Sequence, residues 1–134
     1  MSKLMDIEGI GEIFAQRLNA AGIRSSQALL QQGSTAQGRK AIAAKTLISE
    51  QKVLEWVNHL DLFRVKGIAG QYADLLEEAG VDTVKELAQR NAQNLHEKLA
   101  LVNQEKKLVR QVPAESQVRA WIQQAANLPR VVSY

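Results

Sequence analysis

The residues best placed to do chemistry are two glycine-bearing turns. One is Ile7-Glu8-Gly9-Ile10-Gly11, which runs into Glu12 through Ile23. The other is Val65-Lys66-Gly67-Ile68-Ala69-Gly70, which runs into Gln71 through Val81. A glycine turn that opens a helix lets a ligand approach the backbone closely. It also presents the unpaired amides and the positive dipole end of the helix start, which suits a phosphate. In the first turn those amides belong to Gly9, Gly11 and Ile13, while Ile7 and Ile10 are expected to point inward. The two turns differ in charge. Asp6, Glu8 and Glu12 surround the first, and Glu12 would complement the dipole but repel a phosphate. Arg64 and Lys66 flank the second, where Ala69 takes the place of the second glycine and Gly70 follows one residue late.

Two basic stretches could add to this chemistry. Arg39, Lys40 and Lys45 lead into a turn near 44–49, and Lys106, Lys107 and Arg110 lead into one near 109–114. Taken singly, such residues complement a helix C-terminus and solvate its surface. Their recurrence in both halves sets a phosphate-facing patch beside that reading. Other constellations are thin. His59 and His96 have no companions at metal-ligand spacing, and His59 reads as a surface or capping residue. Asp74, Glu77 and Glu78 read as a solvated helix face. The sequence has no Ser-His-Asp arrangement, nucleophile elbow or phosphate loop. A non-enzymatic protein without cofactor or metal is expected.

These turns lie inside an internal repeat. Sliding 7–31 onto 65–89 aligns identical residues at 9/67, 10/68, 15/73, 18/76, 21/79, 22/80, 29/87 and 31/89. Beyond that the offset grows by seven, and Glu50, Val53 and Trp56 match Glu115, Val118 and Trp121. The chain is therefore read as two units of one plan, 1–61 and 62–134, the second with an insertion and a longer middle helix. Each unit predicts helices at about 11–21 or 70–79, 26–32 or 84–90, 35–44 or 92–108, and 50–60 or 114–126. Gly22 and Gly80 fall where a helix wants a left-handed residue just past its end. Ser25, Thr83, Ser34 and Ser49 are the expected caps, with Glu86 completing a capping box on Thr83. Pro113 suits the first turn of the last helix, and Pro129 stops it. Val53, Trp56, Val57 and Leu60, and Val118, Trp121, Ile122 and Ala125, form core-facing stripes. The tryptophans thus read as core anchors.

Composition sets the frame. The chain has 134 residues, 46% of them hydrophobic, and a net charge of +3 from 17 basic and 14 acidic residues. This is mildly basic, short of the bias that alone marks nucleic-acid binding. The absence of cysteine excludes disulfides, thiolate metal sites and a cysteine nucleophile. Good helix formers dominate, and the two prolines lie late in the chain. An all-α fold is expected. With no signal-like or membrane-spanning stretch, a soluble cytoplasmic protein is expected as well. Two residues each of Trp, Tyr and Phe, mostly expected in the core, argue against a stacking platform for single strands.

The pattern Leu4-x-x-Ile7-x-Gly9-Ile10-Gly11-x-x-x-Ala15-x-x-Leu18 resembles the helix-hairpin-helix motif of DNA repair and recombination proteins. With Ala21-Gly22-Ile23 and Ser25 through Leu29, it is similar to the N-terminal domains of RecA/Rad51-type recombinases and to the RNA polymerase α C-terminal domain. The tandem arrangement most resembles a small uncharacterised family with two such units. The resemblance implies two helix-hairpin-helix units of about four to five short helices each, packed as a compact pseudo-duplicated bundle. It also implies sequence-independent binding of double-stranded DNA through the amides of Gly9, Gly11 and Ile13 and those of Gly67, Ala69 and Gln71. Lys66 and the basic residues Arg39, Lys40, Lys45, Lys106, Lys107 and Arg110 would assist. A monovalent cation at the carbonyls of Met5, Ile7 and Ile10, or of Phe63, Val65 and Ile68, is a further implication. Helix-hairpin-helix units also serve as assembly domains, so a protein partner without nucleic acid is the alternative expectation.

Overall fold

The computed structural model describes residues 4, 7, 9–68 and 70–134. The described residues form eight helices and no strand, as the all-α reading expects. They divide into two units. Unit 1 comprises Met1–Asp61 with Val131–Tyr134, and unit 2 is Leu62–Arg130. The last four residues, read from sequence as part of the second unit, belong with the first.

Unit 1 contains α1 (Glu12–Ala20), α2 (Ser26–Gln32), α3 (Ala36–Thr46) and α4 (Glu50–Leu62, whose last residue belongs to unit 2). Gly11 is the N-cap of α1. That helix ends in a Schellman motif, with Gly22 at φ +88°. The Ile23 amide donates to Leu18 O at 2.9 Å and the Gly22 amide to Asn19 O at 3.0 Å. Ser25 caps α2, its hydroxyl oxygen accepting from the Ala28 amide at 3.1 Å. Thr35, not Ser34, caps α3. Thr35 has the extended backbone a cap needs, and its hydroxyl oxygen accepts from Gly38 N at 3.0 Å. Ser34 instead donates its hydroxyl to Gln31 O at 3.0 Å. Ser49 caps α4 through the Lys52 amide at 3.2 Å. The core includes Ile7, Leu18, Ile23, Leu29, Val53 and Val57, all buried. Burying each such side chain fully contributes roughly 1.5–3 kcal/mol. Residues 56–62 of α4 are buried without a break, so His59 is an interior residue rather than a surface one.

Unit 2 repeats the plan with α5 (Gln71–Glu78), α6 (Val84–Ala88), α7 (Ala92–Lys106) and α8 (Glu115–Asn127). Gly80, at φ +92°, closes α5 with the same motif, the Val81 amide reaching Leu76 O at 2.8 Å. Thr83 caps α6 through the Glu86 amide at 3.3 Å, and the Glu86 carboxylate accepts from the Asp82 amide at 3.2 Å. The reciprocal bond thus lands one residue before the cap. Thr83→Ala is expected to destabilise by about 1 kcal/mol, read as a lower chemical-denaturation midpoint at unchanged slope. An unchanged midpoint would show that the hydroxyl contributes nothing net. Asn91 caps α7. The helix α8 packs on α6 and α7, and α7 packs on α5. Pro113 precedes the α8 N-cap, Ala114, and its carbonyl lies 3.0 Å from Nδ1 of His96. Most of the insertion read from the offset lies in the α7–α8 connection, which spans 107–114 where unit 1 has only 47–49.

The tryptophans anchor both units in the same way. Trp56 meets Phe14 with ring centroids 5.4 Å apart at 59°, and Trp121 meets Tyr72 at 5.4 Å and 58°. Such tilted pairs contribute beyond their buried area. Each indole also lies against the positive-φ glycine of its turn, Trp56 near Gly9 and Trp121 near Gly67.

Candidate nucleic-acid interface

The two glycine turns share a backbone design. In unit 1 the Ile7 amide donates to Leu4 O and the Ile10 amide to Ile7 O, both at 3.1 Å. In unit 2 the Val65 amide donates to Leu62 O at 3.1 Å and the Ile68 amide to Val65 O at 3.2 Å. Ile7, Ile10, Val65 and Ile68 are buried and hold each turn against its core. Gly9 and Gly67 sit at φ +91° and +94°, a region that side chains rarely adopt.

The helix starts beyond the two turns are unlike. Gly11 has an ordinary φ of −86°, and a Cβ built on it would meet nothing within 4 Å. In unit 2 the helix starts one residue later than the repeat predicts. Gly70 is the N-cap of α5 at φ +41°, so the late glycine supplies a conformation that alanine would resist. The N-cap glycines of α1 and α5 have no side chain to cap with, whereas Ser25, Thr35, Ser49, Thr83 and Asn91 cap five of the other helices. The starts of α1 and α5 thus lack a cap from their own N-cap residue, as does that of α8, which Ala114 begins without a side-chain bond. Met5 and Ala69, expected to contribute a carbonyl and an amide, lie outside the described residues.

In unit 2 the turn joins the inserted loop. Gly67, Gly70, Gln71 and Tyr72 line a cavity of about 510 Å³ together with Val109, Arg110 and Gln111. Asn103 pins that loop. Its side chain donates to Val109 O at 3.0 Å and accepts from Val109 N at 2.9 Å, pairing with the backbone on both sides. Exposed Arg110 is thus brought to the uncapped start of α5 by a loop with a fixed root. In unit 1 the corresponding cavity, about 680 Å³, is lined by Gly9, Gly11, Glu12, Ile13, Phe14 and Arg17. It includes no residue of the 44–49 turn. Ile13 is 67% exposed there. Arg17 and Lys52 instead lie over the Phe14 ring, 5.9 and 5.6 Å from its centroid.

The basic residues separate by environment. Arg39 is 5% exposed, and its guanidinium donates to Gly33 O at 2.8 Å and to Ser133 O at 2.7 Å. It holds the fold of unit 1 and does not face a phosphate, contrary to the expectation from sequence. Lys40 and Lys45 are exposed on α3. Lys106 is bound to Glu78 at 2.6 Å, and that hydrogen bond and charge raise its pKa. Any stabilisation from this exposed pair is present below the lysine's unfolded pKa and is lost as pH rises through the folded one. Lys107 ends α7 in the left-handed region at φ 52° and is exposed. The Lys66 amide donates to the Gln124 side chain at 3.0 Å, leaving only the lysine's exposed side chain to face a ligand. Arg64, read as a flank of the turn, donates to Pro129 O at 2.6 Å. Among the described residues, no group of three His, Cys, Asp or Glu converges as a metal site. No helix among them is long and apolar enough to cross a membrane.

The chain is thus an all-helical protein of two repeated units, each built on a glycine turn backed by a tryptophan. A family model, Domain of unknown function (DUF4332), matches residues 8–128, and the chain belongs to that family. No curated protein and no solved structure matches it.

Proposed function

We propose that this protein is a non-enzymatic module that binds double-stranded DNA independently of sequence, through a helix-hairpin-helix turn in unit 2. The observation that carries this reading is the cavity in which Arg110, from the inserted loop, meets the glycine turn and the uncapped start of α5. A phosphate there would take backbone amides at the positive end of a helix and one guanidinium. Lys66 and Lys107 are exposed in the same unit and add positive charge. The resemblance of the turns to helix-hairpin-helix motifs supports the same ligand.

The test is fluorescence anisotropy with a short labelled duplex, at low and at physiological salt. Binding that weakens steeply with salt and ignores sequence is expected, because phosphate contacts release counterions. No binding at low salt would end the proposal. Arg110→Ala is expected to weaken binding uniformly across sequences and to reduce the salt slope by about one. Unaltered affinity and slope would remove Arg110 from the interface.

One observation favours a protein partner at the other turn. Ile13 stands exposed beside Glu12 in the unit 1 cavity, where an apolar contact fits better than a phosphate. A partner captured in a nuclease-resistant complex, and lost with Ile13→Asp, would establish this reading for unit 1. A complex that dissolves on nuclease treatment would remove it.

A further inference from the structure

Val131–Tyr134 occupy a built site on unit 1. Ser133 is held through both backbone groups, its amide donating to Ser34 O at 2.8 Å and its carbonyl accepting from Arg39 at 2.7 Å. Val132 is buried at 3% exposure. The Tyr134 ring lies under the Arg39 guanidinium, 5.8 Å from its centroid, and the Tyr134 hydroxyl is 3.3 Å from Oδ1 of Asn58. A segment without secondary structure is therefore recognised by its backbone at one residue, by a buried apolar side chain at the previous one and by an aromatic ring at the next.

The site and its occupant are separable. These contacts all lie within unit 1, yet the segment is delivered from unit 2, whose α8 ends at Asn127. Only residues 128–130 tether them, with Pro129 fixing one backbone torsion. The same contacts form whichever molecule supplies the segment, so only effective concentration favours the chain's own copy, and strain in the tether opposes it. Leaving the site empty is costly, because Arg39 is buried and would lose the Ser133 acceptor. We propose that this groove is an exchange site. When its own segment is withheld, unit 1 takes Val131–Tyr134 of a second copy of the chain, and two copies are joined by swapped segments.

The chain contains no cysteine, so introduced thiols report unambiguously. The test uses the chain with Arg130 deleted, which shortens the tether. One preparation carries Ser34→Cys and another Ser133→Cys. Mixed and oxidised, they are expected to yield a disulfide-linked dimer of unlike copies, severalfold above a mixture in which exposed Ser116→Cys replaces Ser133→Cys. Excess acetyl-Val-Val-Ser-Tyr-amide is expected to suppress it. A yield no greater than that of the Ser116 control, or one indifferent to the peptide, overturns the proposal. Should the shortened chain fail to fold by circular dichroism, the same pair in the undeleted chain at millimolar concentration is judged by the same two outcomes.

Discussion

Gly67→Ala is expected to destabilise the protein by about 3 kcal/mol, combining a backbone penalty with overpacking. Gly67 sits at φ +94°, and a Cβ there would come within 2.9 Å of Trp121 Nε1. The indole cannot retreat easily, because it is buried and paired with Tyr72. Gly9→Ala should cost less, since its Cβ would stand 3.4 Å from Trp56 Nε1 and only the backbone penalty applies in full. At Gly11 the sign reverses. A serine there adds the N-cap side chain that α1 lacks and meets nothing, so Gly11→Ser should raise stability by a few tenths of a kcal/mol. Chemical denaturation of the three variants checks the order. Equal midpoints for Gly67→Ala and the unaltered chain would mean that the turn shifts freely away from the indole. The contrast also decides how the turns should be probed for binding. Gly11 can be altered without touching the fold, whereas a loss of binding at Gly67 would be confounded with unfolding.

Arg39→Ala is the second large effect, with an expected cost of about 3 kcal/mol. Two hydrogen bonds from a charged donor are lost at roughly 1.5–3 kcal/mol each, offset in part because a buried charge is also removed. Arg39→Met should retain part of the stability, since it keeps the packing of the stem. Val132→Ser should also destabilise, by placing a hydroxyl where a buried apolar side chain stands. The measurement is the denaturation midpoint, together with duplex affinity under conditions where each variant is folded. A folded Arg39→Ala protein with weakened DNA binding and an unchanged midpoint would restore Arg39 to the nucleic-acid face and sink the structural role.

The repeat was legible in the sequence because its punctuation is local. Gly9 and Gly67 must be glycine for their own backbone, and Gly22 and Gly80 end helices through bonds to the preceding turn. The apolar stripes with their tryptophans are likewise local patterns. Ser34 and Thr35 show the limit of that reading, since adjacent hydroxyls compete for one cap and backbone torsion selects between them. The role of Arg39 was hidden for a different reason. Its second acceptor lies 94 residues away, and no local pattern announces it. A faint signal existed, because Arg39, Ile42 and Thr46 lie at i, i+3 and i+7 on the buried face of α3. His59 was missed similarly, since a stripe of Trp56, Val57 and Leu60 marks one face but does not show that the end of α4 is enclosed all round. In the candidate site, the glycines and Arg110 were each readable. Their meeting was not, because the offset reveals the length of the insertion but not which part of 92–114 is loop.

The division of the chain also sets an order of manufacture. Unit 2 is contiguous and has all its residues once position 130 is made, whereas unit 1 waits for 131–134. A ribosome adding on the order of 5–20 residues per second needs several seconds to pass from the end of the first stretch of unit 1 to its last. Throughout that interval the nascent first unit holds Arg39 on Gly33 O alone, without the Ser133 carbonyl and the Tyr134 ring. The half of the protein that leaves the ribosome first is the half completed last, so its maturation is timed by the translation of the other.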